Sequence, residues 1–225
     1  MKLAFSNIAW ASSDEQEILP VLRRHGISGI EVAPTKLWPD WSGATVASAR
    51  SYRDRLTTEG FVVPAMQAIL FGRPDLVVFD RARRVALLDH LERVAELAGA
   101  FGAGAVVFGA PKQRDPGTLS WTDALDAASD LFRQAAPAFT AAGACLCIEP
   151  NPTVYGCRFV TTVAEGVALV RRVAHPGFGL HLDAAGLFLS GDDLPAVLPD
   201  AKPFLRHFHL SEPNLGDFRV PQVPH

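Results

Sequence analysis

Residues 143–152 read GACLCIEPNP, and this stretch decides the fold. Glycine suits the left-handed residue just past a helix, so Gly143 closes a helix. The run 145–148 is short and apolar enough for a buried strand, and Glu149 stands at its end. The same unit recurs along the chain. Gly26, Gly60 and Gly102 close other helical stretches, and residues 29–32, 61–65 and 105–108 follow them as strands. A fifth unit uses Pro176 and Gly177 before residues 178–182. Helices are expected over 44–59, 80–101, 120–142 and 161–174, the second with Val85, Leu88, Leu91, Val94, Ala95 and Ala98 at helical spacing.

Strands alternating with helices imply parallel strands joined by right-handed crossovers. A first strand at 3–6 and a last at 206–210 bring the count to seven, one short of a (β/α)8 barrel. A doubly wound sheet would also fit, but it usually carries a glycine-rich phosphate turn after an early strand. Here SNIAWASS follows strand one, and neither GxGxxG nor GxxxxGK(S/T) occurs. The expected fold class is therefore α/β, of the (β/α)8 TIM-barrel type, with the eighth strand missing from this chain. The even march of units offers no linker, so a single domain over 1–225 is expected, truncated at its C-terminus.

Composition narrows the ligand. The chain has 225 residues, 48% of them hydrophobic, which is ample for one core. Net charge is -3 and the 21 basic residues lie scattered, so no basic stripe points to nucleic acid and no polybasic segment to a membrane surface. No stretch approaches the roughly 20 apolar residues of a membrane helix. Cys145, Cys147 and Cys157 have neither disulfide-framework nor CxxC spacing, which suits small buried residues and a reducing, cytoplasmic location. A small molecule is the expected ligand, and a homo-oligomer is one way to close a barrel short of a strand.

Three strands end in metal-ligand types: CLCIEPNP at Glu149, GLHLDAAG at Asp183 and RHFHLSEP at His209. Side chains alternate along a strand, so Cys145, Cys147 and Glu149 face one way, as do His181 with Asp183 and His207 with His209. The apolar neighbours Leu146, Ile148, Leu180, Leu182, Phe208 and Leu210 suit the side covered by helices. The polar set then faces the barrel interior, and its last members reach the carboxyl-end mouth, where such barrels keep their active sites. Two carboxylates and an imidazole converging there are costly unless they coordinate a cation or find partners, and a divalent metal is one solution. Mixed oxygen and nitrogen donors admit Mn2+, Mg2+, Co2+, Fe2+ or Zn2+. Taken singly, Glu149 is a loop cap, Asp183 the N-cap of a following turn and His209 a core histidine. His181 and His207, one step deeper, are expected to be lining residues hydrogen-bonded locally or to a group behind a ligand.

At these residues the sequence resembles the sugar phosphate isomerase/epimerase family, the xylose isomerase-like TIM barrels. The likeness spans nearly the whole chain, through SNIAW, GIEVAPTK, AMQAILFG, VFGAPKQR, IEPNP, HLDAAG and HFHLSEP. It implies a single divalent metal held by Glu149, Asp183 and His209. The fourth ligand of that pattern, a Glu after strand eight, has no counterpart here. It also implies that Glu149 moves a proton through an enediolate of a sugar or polyol substrate. Many members carry a histidine where this chain has Gly186. The DNA-repair branch, endonuclease IV, needs further histidines where this chain has Glu31, Gln67 and Gly109.

Other side chains fall near the same mouth. Glu31 and Gln67 are candidate partners of substrate hydroxyls, or loop anchors. Lys112, Arg114 and Arg158 are candidate receivers of a phosphate or carboxylate, or solvated loop charges. Trp10, Trp38, Trp41 and Phe71 are candidate walls against water, or ordinary packing. Glu212 and Asn214 follow His209 and are candidates to reach a substrate, or a polar surround for the Pro213 turn. The expected activity is metal-dependent sugar isomerisation or epimerisation. The alternatives are dehydration of a polyol, phosphoester hydrolysis, and a non-catalytic ligand-binding barrel.

Overall fold

A computed structural model of the chain describes residues 3–213. Asn214 and the expected terminal loop at 216–225 lie outside them. Seven strands alternate with helices: β1 (Ala4–Ser6), α1 (Glu15–Arg24), β2 (Gly29–Glu31), α2 (Pro34–Leu37), α3 (Val46–Thr58), β3 (Ala65–Met66), α4 (Arg84–Phe101) and β4 (Ala105–Phe108). Then follow α5 (Trp121–Ala141), β5 (Cys145–Ile148), α6 (Val163–Val173), β6 (Phe178–Asp183), α7 (Ala184–Ser190), α8 (Leu194–Ala201) and β7 (Leu205–His209). No helix among the described residues is long and apolar enough to cross a membrane.

All pairings are parallel, β1 with β2 and β3 through β7 in chain order. Single bridges, Gly29 to Val62 and Val32 to Met66, join the two parts into one curled sheet. The third strand is shorter than the expected 61–65 because of Pro64. Proline has no N–H to give a ladder, and here its carbonyl accepts from Gly104 N–H at 3.0 Å while pairing resumes at Ala65. Among the described residues no strand lies between β7 and β1, and Phe5 and Leu210 on those two strands' flanks are exposed.

The helix ends follow the expected chemistry. Gly102 caps α4 at φ +76°, a conformation that costs a side chain steric energy. Ser120 starts α5, its hydroxyl oxygen accepting from Asp123 N–H at 3.1 Å. Gly177 differs from the expected cap: α6 ends on the left-handed Ala174, and Gly177 is required because a Cβ there would collide with the carbonyl oxygen of Ala136 on α5.

The core lies between the outer face of the sheet and the helices. Leu146, Ile148, Leu180 and Leu182 are buried there, each fully covered aliphatic chain contributing about 2 kcal/mol. Phe132 of α5 meets Phe108 edge-on at 5.1 Å and stacks on Phe178 at 4.8 Å. The inner face is different. Ala65, Ala105, Cys145 and Cys147 form a small-residue cluster at depth, and His181, His207 and His209 stand nearer the mouth. That gradient from small to polar builds the site.

Candidate metal and active site

Glu149 leaves β5 at the mouth, its N–H donating to Phe108 O at 3.2 Å. Its carboxylate passes so close to the next loop that a Cβ on Gly109 would lie 2.5 Å from Oε2. Burial pushes the Glu149 pKa up, but His181 and Asn151 outweigh it and hold the carboxyl below its ordinary value. The group is therefore ionised at neutral pH. Gly109 stands out in the sequence only as a place where endonuclease IV would need a ligand; its role here is to make room.

Asp183 does two things at once. Oδ1 accepts from Gly186 N–H at 2.8 Å and so N-caps α7, where a capped turn is expected of it taken singly. The Ser211 hydroxyl donates to the same carboxylate at 2.7 Å, and Oδ2 lies 3.8 Å from His209 Nδ1. Gly186 supplies the capping N–H.

His209 lies between two carboxylates. Its Nε2 is 2.9 Å from both oxygens of Glu31 across the curl of the sheet, and Nδ1 faces Asp183. Burial lowers the imidazole pKa, yet Glu31, Glu149 and Asp183 together raise it above the ordinary value. Glu31 is only 4% exposed. Burial raises its pKa, and the bonds to His207 (3.1 Å) and His209 overcome that and bring it to about 2. Gln67 Nε2 donates to Glu31 Oε2 at 2.8 Å and to Ser6 Oγ at 2.6 Å. Glu31 and Gln67 thus belong to one network that orients His209.

His181 departs from expectation. It faces inward and is fully buried, but neither ring nitrogen makes a hydrogen bond among the described residues. Nε2 lies 3.5 Å from Glu149 Oε1, and the ring centroid is 4.2 Å from that of His209. Burial pulls its pKa below the ordinary imidazole value, against the opposing pull of Glu149. Glu149, His181, Asp183 and His209 each offer a ligand atom, all within 4.8 Å of one another. His181, His207 and His209 form a second such set.

The outer positions separate. Arg114 corrects the expectation of a loop cation open to a phosphate: it is fully buried, its Nη2 donating to Asn151 Oδ1 at 2.7 Å and Cys157 Sγ at 3.2 Å. The loops after β4 and β5 fold over it. Lys112 is exposed, its stem running past Gly156, and exposed Arg158 pairs with Asp115 at 3.2 Å. Glu212 is half-buried. Trp10 and Trp41 pack into the core, Trp41 Nε1 donating to Phe71 O at 2.9 Å, and Trp38 tilts against Phe101. Phe71 is left exposed. Tyr155, absent from the sequence reading, lies close enough to Asp183 and Glu149 that burial, then those charges, raise its phenol pKa. No motif marks it; only its place in the β5 loop does.

A family model described as a xylose isomerase-like TIM barrel matches residues 19–222. The chain belongs to that family. Among solved structures, this xylose isomerase-like barrel is similar to D-psicose 3-epimerase crystallised in the presence of D-fructose, with 18% identity, a TM-score of 0.77, and coverage of 100% of this chain and 78% of that one. It is also similar to the probable 3-DHS dehydratase AsbF of Bacillus anthracis, at 18% identity, a TM-score of 0.72, and 94% and 73% coverage. A third is the IolI protein with a bound zinc atom, at 18% identity, a TM-score of 0.68, and 87% and 67% coverage. No curated protein matches the sequence. At such identities the likeness shows the shared barrel.

Proposed function

We propose that this barrel is a divalent-metal-dependent isomerase or epimerase of a small sugar, in which Glu149 moves a proton on the carbon beside a carbonyl. The observation that supports it most is the convergence of Glu149, Asp183 and His209 donor atoms, with that of His181, within 4.8 Å at the carboxyl-end mouth. The donor set suits a divalent ion: it pairs two carboxylates with two imidazoles, and the His209 nitrogen facing Asp183 is held by the Glu31 bond on the other side of the ring. When bound, the ion would polarise a substrate carbonyl and acidify the neighbouring C–H.

This chain's own groups do the rest. Glu149 is ionised and anchored by Asn151, as a base must be at neutral pH. His209 is oriented by Glu31, and Glu31 in turn by Gln67. Lys112 and Arg158 are the exposed cations of the adjoining loops and are the candidates to receive a phosphate or carboxylate on the substrate. The similarity to D-psicose 3-epimerase supports a ketose. The similarity to a probable dehydratase supports a second reading, loss of water from a polyol after the same proton abstraction.

A panel of ketoses, aldoses, their phosphates and dehydroshikimate-like acids, incubated with the cobalt- or manganese-loaded chain and followed by NMR, tests the reading. Appearance of an epimer or isomer supports it. Loss of water without epimer formation would favour the dehydratase, and no change across the panel would sink both.

A further inference from the structure

His181 is buried on the inner face with both ring nitrogens unsatisfied among the described residues. Buried polar groups in folded proteins are hydrogen-bonded in the great majority, and an imidazole stripped of water without a partner is destabilising. The neighbouring His207 has Nε2 3.1 Å from Glu31 Oε1. His181 instead sits on the inner face two residues before Asp183, turned toward Glu149 and His209.

We infer that His181 is a metal ligand, completing with Glu149, Asp183 and His209 a centre of two imidazoles and two carboxylates. This rests on the metal-binding part of the proposed function. The separations argue for it. Two donors each about 2.1 Å from a tetrahedral ion lie about 3.4 Å apart, whereas adjacent donors of an octahedral ion lie about 3.0 Å apart. The His181 Nε2 to Glu149 Oε1 distance is 3.5 Å and the His209 Nδ1 to Asp183 Oδ2 distance is 3.8 Å, two opposite edges nearer the tetrahedral value. His209 meets Glu31 through its other nitrogen, the carboxylate-histidine-metal arrangement by which such ligands are oriented.

The two imidazoles among the donors favour Zn2+, Co2+ or Fe2+ over Mg2+.

The test reads metal, not turnover. The full chain is stripped with chelator and titrated with Zn2+ against a competing indicator, alongside Glu149→Gln, Asp183→Asn, His181→Gln and His207→Gln variants. X-ray absorption at the zinc edge of the wild-type protein counts imidazole ligands. The expected results are one Zn2+ per chain and two imidazoles. His181→Gln should lose affinity by roughly 100-fold or more, beyond the 10- to 100-fold range of outer-shell changes, and His207→Gln by less than about 10-fold. If Glu149→Gln and Asp183→Asn weaken binding while His181→Gln does not, and one imidazole is counted, this inference is overturned and the metal reading stands. If none of the variants changes zinc binding, both fall. Should His181→Gln fail to fold, the imidazole count on the wild-type protein decides alone.

Discussion

Adding a single methyl group at Gly109 tests whether the position of Glu149 matters. A Cβ at residue 109 would lie 2.5 Å from Glu149 Oε2 and 3.7 Å from Asn151 Oδ1. A carbon and a carboxylate oxygen settle at about 3.3 Å or more, so Oε2 must retreat by roughly 0.8 Å. Gly109 is not among the glycines at positive φ, so Gly109→Ala carries no backbone penalty. The fold should hold, because the far end of a side chain moves at little cost, and the melting temperature should shift by no more than a few degrees. The site should not hold. Metal ligands tolerate about 0.2 Å, and a misplacement of about 1 Å at a reacting group costs roughly 100-fold. Zinc competition and solvent deuterium exchange into substrate measure the two effects on one preparation. A Gly109→Ala protein that keeps both wild-type zinc affinity and exchange rate would refute the claim that Glu149 acts from the position described.

Asp183→Asn separates two roles, since asparagine caps a helix as well as aspartate does: apo stability should change by less than about 0.5 kcal/mol, while zinc affinity drops roughly 100-fold or more. Equal loss of both by calorimetry would mean the cap alone matters. Glu31→Gln should act on the apo protein in a defined pH window. The Glu31 pKa falls from 4.5 to about 2, so its stabilisation is full above 4.5 and is lost as pH falls toward 2. The His209 pKa is raised, so its share is full below 6.5 and is lost as pH rises through its folded value. The variant should therefore cost most, about 3 kcal/mol, between pH 4.5 and 6.5, and a pH-independent cost in urea melts would contradict the pairing. Phe132→Ala removes a fully buried ring from between Phe108 and Phe178 and should cost about 3–5 kcal/mol in the same melts, with zinc affinity unchanged.

Much of this molecule can be read from its sequence, and the exceptions have physical causes. β4 and β5 match the expected 105–108 and 145–148 because each is a buried run set off by a helix-closing glycine. β3 falls short because Pro64 cannot donate within a ladder, a local rule that a hydrophobic run hides. Alternation along the strands placed Glu149, Asp183, His181, His207 and His209 on the inner face, since that depends only on period two. Partners are another matter. The bond from His209 to Glu31 spans 178 positions, and nothing local distinguishes a histidine with a carboxylate across the barrel from one with none. Hence His207 and His181 read alike in sequence although the first lies beside Glu31 and the second beside Glu149, and Arg114 read as a phosphate receiver or a solvated charge though two loops close over it.

The central claim, that Glu149 moves a proton at this mouth, is tested most directly by deuterium wash-in. The metal-loaded wild-type and Glu149→Gln proteins, with metal content measured and equalised, are incubated in D2O with the ketose that the panel identifies. The account predicts deuterium at the carbon beside the carbonyl with the wild-type protein and a loss of roughly 100-fold or more with Glu149→Gln. Wash-in at the wild-type rate by a fully metallated Glu149→Gln protein would contradict it.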